Sequence, residues 1–191
     1  MKKNQIHLFS AGLILMLGAL LCSVTGCHHN STMNSATKNS SDSTANSVDG
    51  HFLNKAAEIN LEEIKVGALA QQKGYSSDVN DMGKMLEQEH TKSWNELTQL
   101  AKKKSMTIPT TLDSGAKADY ATLSSLTGKE FDKKFCEMMV SGHKDAIALF
   151  EKESTQANDS DIKHWAASTL PTLHKHLDDA ISCQHGIKNN P

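Results

Sequence analysis

From Phe52 onward the chain alternates apolar and polar residues with a period that only a helix satisfies. Phe52, Ala56, Ile59, Glu63, Val66 and Ala70 follow one another in alternating steps of four and three, which keeps them on one helical face. Gly74 is placed to stop this first helix, and Ser76-Ser77-Asp78 offers capping groups for the next. The second stripe runs through Val79, Met82, Leu86, His90, Leu97 and Leu100 to about Lys104. A third begins after Gly128 with Phe131, Phe135, Met139, His143, Ala146 and Phe150. The fourth follows the turn at Asn158-Asp159-Ser160 and carries Ile162, Ala166, Thr169, Leu173, His176 and Ala180. Pro171 falls inside it, removing one backbone hydrogen bond, and is expected to kink it.

The second and third stripes are separated by a different kind of sequence. Ile108-Pro109 must leave the helix, because proline drives the preceding residue toward extended geometry. Asp113 to Leu126 predicts a short helix with Ala116, Tyr120, Leu123 and Leu126 on one side. A link of about 24 residues can run the length of a bundle and is far longer than a hairpin loop. Two hairpins joined by one such crossover make the ferritin-like arrangement of four helices. The expected fold is therefore all-α: a ferritin-like four-helix bundle over residues 51–184, its long crossover containing a short helix, and a tail at 185–191. No βαβ alternation, phosphate-binding glycine loop or internal repeat stands out.

The first 50 residues read as an address and a tether. Met1-Lys2-Lys3 precedes an apolar run from Leu8 to Val24, the layout of a secretory signal. Val24-Thr25-Gly26-Cys27 resembles the bacterial lipobox, which implies cleavage of residues 1–26 and a lipid on Cys27. Cys22 fits less well, because Leu20 and Leu21 precede it. His28, where Asp would favour inner-membrane retention, directs the expectation to the outer membrane, facing the periplasm. Residues 27–50 are rich in Ser, Thr and Asn, with Met33 and Val48 as the sizeable apolar side chains. Such a segment cannot offset the entropy of ordering and reads as a flexible spacer reaching about 25–30 Å.

Composition narrows the partners. All 20 basic residues are lysine, and the formal charge is −2. Without arginine the chain lacks the planar fork that grips phosphates and guanine edges, and its charge gives no attraction to nucleic acid. The expected contact is with the membrane, through the N-terminal lipid. A protein partner and an oligomeric state are not readable. Aromatic residues make up 5% of the chain, which suits helices better than strands.

Candidate chemistry lies on the stripes. Each long helix carries one ionisable residue on its apolar face: Glu63, His90, His143 and His176. Counted from the hairpin turns, the first three lie at similar depth, and His176 about 6 Å further along. One carboxylate and three imidazoles can hold a mononuclear transition metal. They can equally form a metal-free Glu–His hydrogen-bond network, since inward polar groups need partners. A di-iron centre is not expected: it wants Glu-x-x-His on two helices, and Val140 and Leu173 stand three residues before His143 and His176. Cys136 and Cys183 could form a disulfide in an oxidising compartment. Pairing about Gln156 sets Cys136 opposite residue 178, about 7 Å along the axis from Cys183, which is marginal for a disulfide. No signature of nucleophilic catalysis is present. Met82, Met85, Met138 and Met139 read as core filling.

Several segments occur in a telling order. They are Phe52-Leu53-Asn54-Lys55-Ala56-Ala57, Leu86-Glu87-Gln88-Glu89-His90-Thr91-Lys92, Thr107-Ile108-Pro109-Thr110, Gly128-Lys129-Glu130-Phe131-Asp132 and Thr169-Leu170-Pro171-Thr172-Leu173. With His143 and His176 they resemble the bacterial domain-of-unknown-function family 4142, over about residues 50–183. The resemblance implies a ferritin-like, exported protein without an agreed activity. Glu89 departs from the family's usual Asp before the histidine, and His174 from its common Glu. The expected function is that of an envelope lipoprotein whose bundle serves as a binding or structural module, with no enzymatic activity indicated. The alternative is a mononuclear metal-binding or redox protein using Glu63, His90, His143 and His176.

Overall fold

The structure, a computed structural model, describes residues 47–189, with side chains through Ile187. The expected signal peptide, Cys27 and most of the expected tether lie outside the described residues. Five helices are present and, among the described residues, no strand: α1 (Val48–Lys73), α2 (Ser77–Lys103), α3 (Ser114–Ser125), α4 (Gly128–Gln156) and α5 (Ser160–Asn189). None of them is long and apolar enough to cross a membrane.

α1 pairs with α2 and α4 with α5, while α1 also lies beside α4 and α2 beside α5. The crossover carries α3 across α1 and α4, where Lys73 Nζ donates to the Ser124 carbonyl. Neighbouring long helices are antiparallel, as the ends show. Lys103 and Lys104, at the end of α2, form ion pairs with Asp161 at the start of α5. This is the ferritin-like bundle with a helix in its crossover. Pro171 sits within α5, and the helix continues through it.

Both boundaries differ from the sequence expectation. α1 begins at Val48 rather than 51, because the Ser47 hydroxyl caps it, accepting from Gly50 N at 3.1 Å. α5 runs to Asn189 rather than 184, and Ile187 lies against the apolar cluster at that end of the bundle.

Asp49, counted from sequence as tether, has a structural task. Its carboxylate accepts from Asn158 N (3.0 Å) and Asp159 N (2.9 Å), satisfying the α4–α5 turn. Asp132, near the start of α4, does the same at the opposite end, accepting from Tyr75 N and Ser76 N at 2.8 Å each. These charge-assisted bonds cover amides that a helix terminus leaves without partners.

The two aspartates mark a correspondence that the bare sequence did not display as a repeat. Asp49, Phe52, Leu53 and Asn60 in α1 have the same spacing as Asp132, Phe135, Cys136 and His143 in α4, and all eight are buried. Four positions shared across unlike sequence are too few to register as periodicity.

The interior is divided. One apolar cluster lies toward the α4–α5 turn, where the rings of Phe52, Phe150 and Trp165 meet with centroids 5.0–5.8 Å apart. The other lies toward the α1–α2 turn and holds Val66, Leu86, Phe131 and Phe135. Between them lie five buried polar residues: Asn60, Glu63, His90, His143 and His176.

Each hairpin is fixed in register two turns from this layer. In the first, Gly67 and Gly83 let the backbones touch: a Cβ on Gly67 would lie 2.6 Å from the Gly83 carbonyl oxygen, and one on Gly83 2.7 Å from that of Gly67. In the second, Cys136 and Cys183 are joined by a disulfide, with Cα atoms 6.0 Å apart. Cys136 precedes His143 by seven residues and Cys183 follows His176 by seven, so the covalent link and the histidine pair share one seam.

Candidate metal centre

The axial count that left Cys183 and His176 too deep measured backbone levels alone. Helical side chains lean toward their own N-terminus. Across an antiparallel pair, His143 therefore leans away from the α4–α5 turn and His176 toward it. The lean closes the offset: His143 Nε2 and His176 Nδ1 are 3.3 Å apart. His90 completes the group from α2, with ring centroids 5.8 Å from His143 and 5.3 Å from His176. One nitrogen from each ring can be chosen so that all three lie within 4.8 Å of one another. Two nitrogens bound to one tetrahedral metal at 2.0–2.1 Å are about 3.3 Å apart, the separation the His143–His176 pair already has.

The far side of each ring is engaged. Asn60 Nδ2 donates to the Ala56 carbonyl at 2.9 Å, which turns its Oδ1 toward His90, and His90 Nδ1 donates to that oxygen at 3.0 Å. His143 Nδ1 donates to the Met139 carbonyl at 2.9 Å. His176 Nε2 donates to Glu89 Oε2 at 3.0 Å. With those protons placed, His90 Nε2, His143 Nε2 and His176 Nδ1 are left as bare lone pairs. His90 Nε2 is buried and has no hydrogen-bond partner. A carbonyl, an amide and a carboxylate behind three imidazoles is the outer support that fixes the tautomer of metal-binding histidines.

Burial sets the charge. Desolvation is the first cause that lowers the pKa of all three histidines; for His90 the shift is well below the usual value, with His176 and His143 adding to it. On His176 the neighbouring His143 lowers it further, while Glu89 acts the other way. The rings are thus neutral near pH 7, the form that binds metals. Glu63 is pushed up to about 8 by burial and is largely protonated there.

Of the four residues singled out from sequence, the structure brings the three histidines together and sets Glu63 apart. Glu63 Oε1 lies 3.9 Å from His143 Nδ1, the ring's outer nitrogen, so the carboxyl stands behind the ring and outside the group of lone pairs. Depth along a helix set Glu63 at the right level; it did not give the side of the ring. Asn60 and Glu89 were not foreseen as parts of the site. Asn60 falls seven residues from both Leu53 and Gly67 on the α1 seam, a signal available in the pattern. Glu89 engages a histidine of α5, which only the α2–α5 neighbourhood reveals.

A family model described as "Domain of unknown function (DUF4142)" matches residues 34–182. No curated protein matches the chain. Among solved structures, the chain is similar to a DUF305 fragment from Deinococcus radiodurans, with a TM-score of 0.63 at 10% identity, covering 72% of this chain and 95% of that one. At that identity the likeness is one of fold.

Proposed function

The chain belongs to the DUF4142 family, and from that premise we propose that its bundle binds a single transition-metal ion through His90, His143 and His176, held at the cell envelope by a lipid on Cys27. The observation that carries the reading is the convergence of three buried imidazoles, with one nitrogen from each within 4.8 Å of the others. Two of these nitrogens meet at hydrogen-bonding distance, 3.3 Å, and with both outer ring nitrogens already engaged the space between them suits a shared proton or a metal ion. Three neutral imidazoles suit zinc, copper, nickel, cobalt or iron, and not magnesium or calcium, which take oxygen ligands. Glu63 would stand behind His143, 3.9 Å from its outer ring nitrogen, without touching the ion. The envelope address draws support from the lipobox-like Val24-Thr25-Gly26-Cys27.

Elemental analysis of the full-length protein, purified without a polyhistidine tag, is expected to find about one transition metal per chain. Zinc or cobalt added to the stripped protein should raise its melting temperature. His90→Ala should abolish that rise while leaving the helical circular dichroism spectrum in place, and affinity should weaken on acidification as protons compete for the imidazoles. No bound metal, and no shift with zinc, copper, cobalt, iron or manganese, would overturn the proposal and leave the layer as a hydrogen-bonded network. The anchor has its own check: fatty-acid labelling of the protein should disappear in Cys27→Ser.

A further inference from the structure

A cleft of about 370 Å³ opens on the face of the bundle where α1 and α4 lie side by side. Its walls carry five carboxyl groups: Glu62 and Glu63 from α1, Asp119 from α3, and Glu137 and Asp145 from α4. Lys134 is the one lysine among the residues that line it. Glu63 forms the deep end, with a side chain only 8% exposed. Its Oε2 is buried without a hydrogen-bond partner, and its Oε1 is 3.9 Å from His143 Nδ1, beyond hydrogen-bonding reach. That Oε1 is turned toward Gly142, 3.7 Å from where a Cβ would stand, and Gly142 is part of the cleft wall. An unpartnered, buried carboxyl thus looks into a pocket rimmed by carboxylates. Burial, followed by the neighbouring Glu63 and Asp119, pushes Glu62 up to about 7, so the acidic groups crowd one another here.

We propose that this cleft binds an aliphatic polyamine, with its ammonium groups on the carboxylates and its methylene chain along the apolar wall. The acidic groups are too dispersed for a bare metal ion, which gathers its oxygen ligands within one short shell. Among the described residues, the three histidines are the one group of such side chains set closely enough to hold an ion. Glu137 and Asp145 are eight residues apart on α4, about 12 Å along the axis, which suits a cation whose charges are strung on a chain. Ile59, Met138 and Met139 also line the cleft and offer apolar surface to the methylenes between those charges. The volume is that of a small-molecule pocket. The cleft touches the histidine layer at the outer side of His143, through Glu63, so a ligand there does not need a metal on the inner nitrogens.

The test is calorimetric titration of the full-length protein with spermidine at physiological salt, where diffuse surface attraction is screened. Saturable uptake of about one molecule per chain is expected. n-Butylamine, with a single charge, should bind at least tenfold more weakly, and magnesium at matched ionic strength should not displace spermidine. Glu137→Gln should weaken binding at least fivefold. Gly142→Leu alters no charge but fills the cleft beside Glu63, and should weaken it as much; a Cβ fits at this position without a clash. Circular dichroism of both variants checks that they fold, and the two positions guard against one that does not. Glu151→Gln removes an exposed carboxylate outside the cleft and should leave binding unchanged. Absence of saturable uptake would overturn the proposal. So would wild-type binding by Gly142→Leu, equal losses in Glu137→Gln and Glu151→Gln, or displacement of spermidine by magnesium, each of which would reduce the effect to general surface charge.

Discussion

The two hairpins hold their partners in register by opposite means. α1 and α2 meet where side chains are missing: Gly67 and Gly83 let the two backbones come within contact distance. α4 and α5 meet where side chains are joined, at Cys136–Cys183. The first device is built from shape alone and is indifferent to redox conditions. The second is complete only in an oxidising compartment. The difference matters for the site, because the disulfide lies in the seam that sets His143 opposite His176, whereas His90 depends on the glycine seam.

The largest effect is expected from filling the glycine contact. Gly67→Leu drives a side chain into backbone that no rotamer change can move, so the variant should lose its cooperative thermal transition. A wild-type midpoint would show that the seam is not as tight as its geometry. Overpacking of this kind commonly costs about 1–3 kcal/mol and more where backbone is struck. Next comes the covalent seam. Cys136→Ser with Cys183→Ser, or reductant added to the wild type, should lower stability to urea by about 2–4 kcal/mol. If reductant leaves the urea midpoint unchanged, the second hairpin is not held by its disulfide.

The ends of the bundle offer a finer comparison. Asp49→Asn and Asp132→Asn each weaken two charge-assisted bonds to turn amides and should each cost about 2 kcal/mol. Unequal losses would show that one hairpin end depends on its cap more than the other. The mildest test is pH, applied to the metal-free protein. The unfolded chain takes up protons on its histidines near 6.5, while the buried rings, their pKa values lowered by desolvation, resist. Stability should therefore fall as pH drops below about 6.5. Glu63 acts with the other sign. Its folded pKa of about 8 means that its contribution is complete below about 4.5 and is lost as pH rises toward 8. A melting temperature that peaks between these limits, with the alkaline decline reduced in Glu63→Gln, is the expected result; a flat profile would contradict it.

Most of the fold was legible because the stripes are long and regular. The crossover was legible because Pro109 and the length of the link exclude a hairpin. The three histidines were visible for a related reason: each interrupts an otherwise apolar face, and such interruptions are rare in a core. What could not be read was the direction of side chains around each axis. Glu63 and His143 do share a level, yet Glu63 meets the outer nitrogen of the ring. Asn60 was passed over for Ile59, its more apolar neighbour, although Asn60 is the more deeply buried of the two. Glu89 belongs to a contact between helices from different hairpins, which local pattern does not encode. Cys136 and Cys183 were judged by the levels of their backbones, and the lean of side chains across an antiparallel pair decided the outcome.

The paired aspartates also act as the zero marks of two rulers. Asn60 stands eleven residues from Asp49 and His143 eleven residues from Asp132, about 16 Å of helix in each case, measured from opposite ends of the bundle. The polar layer therefore lies where two equal counts, started at opposite faces, run into one another. Helix length becomes a quantity the chain must conserve, whatever residues fill the interval. One residue inserted between Asp132 and His143 would swing the imidazole by about 100° around α4 and leave the cap, the disulfide partner and the histidine out of step with one another.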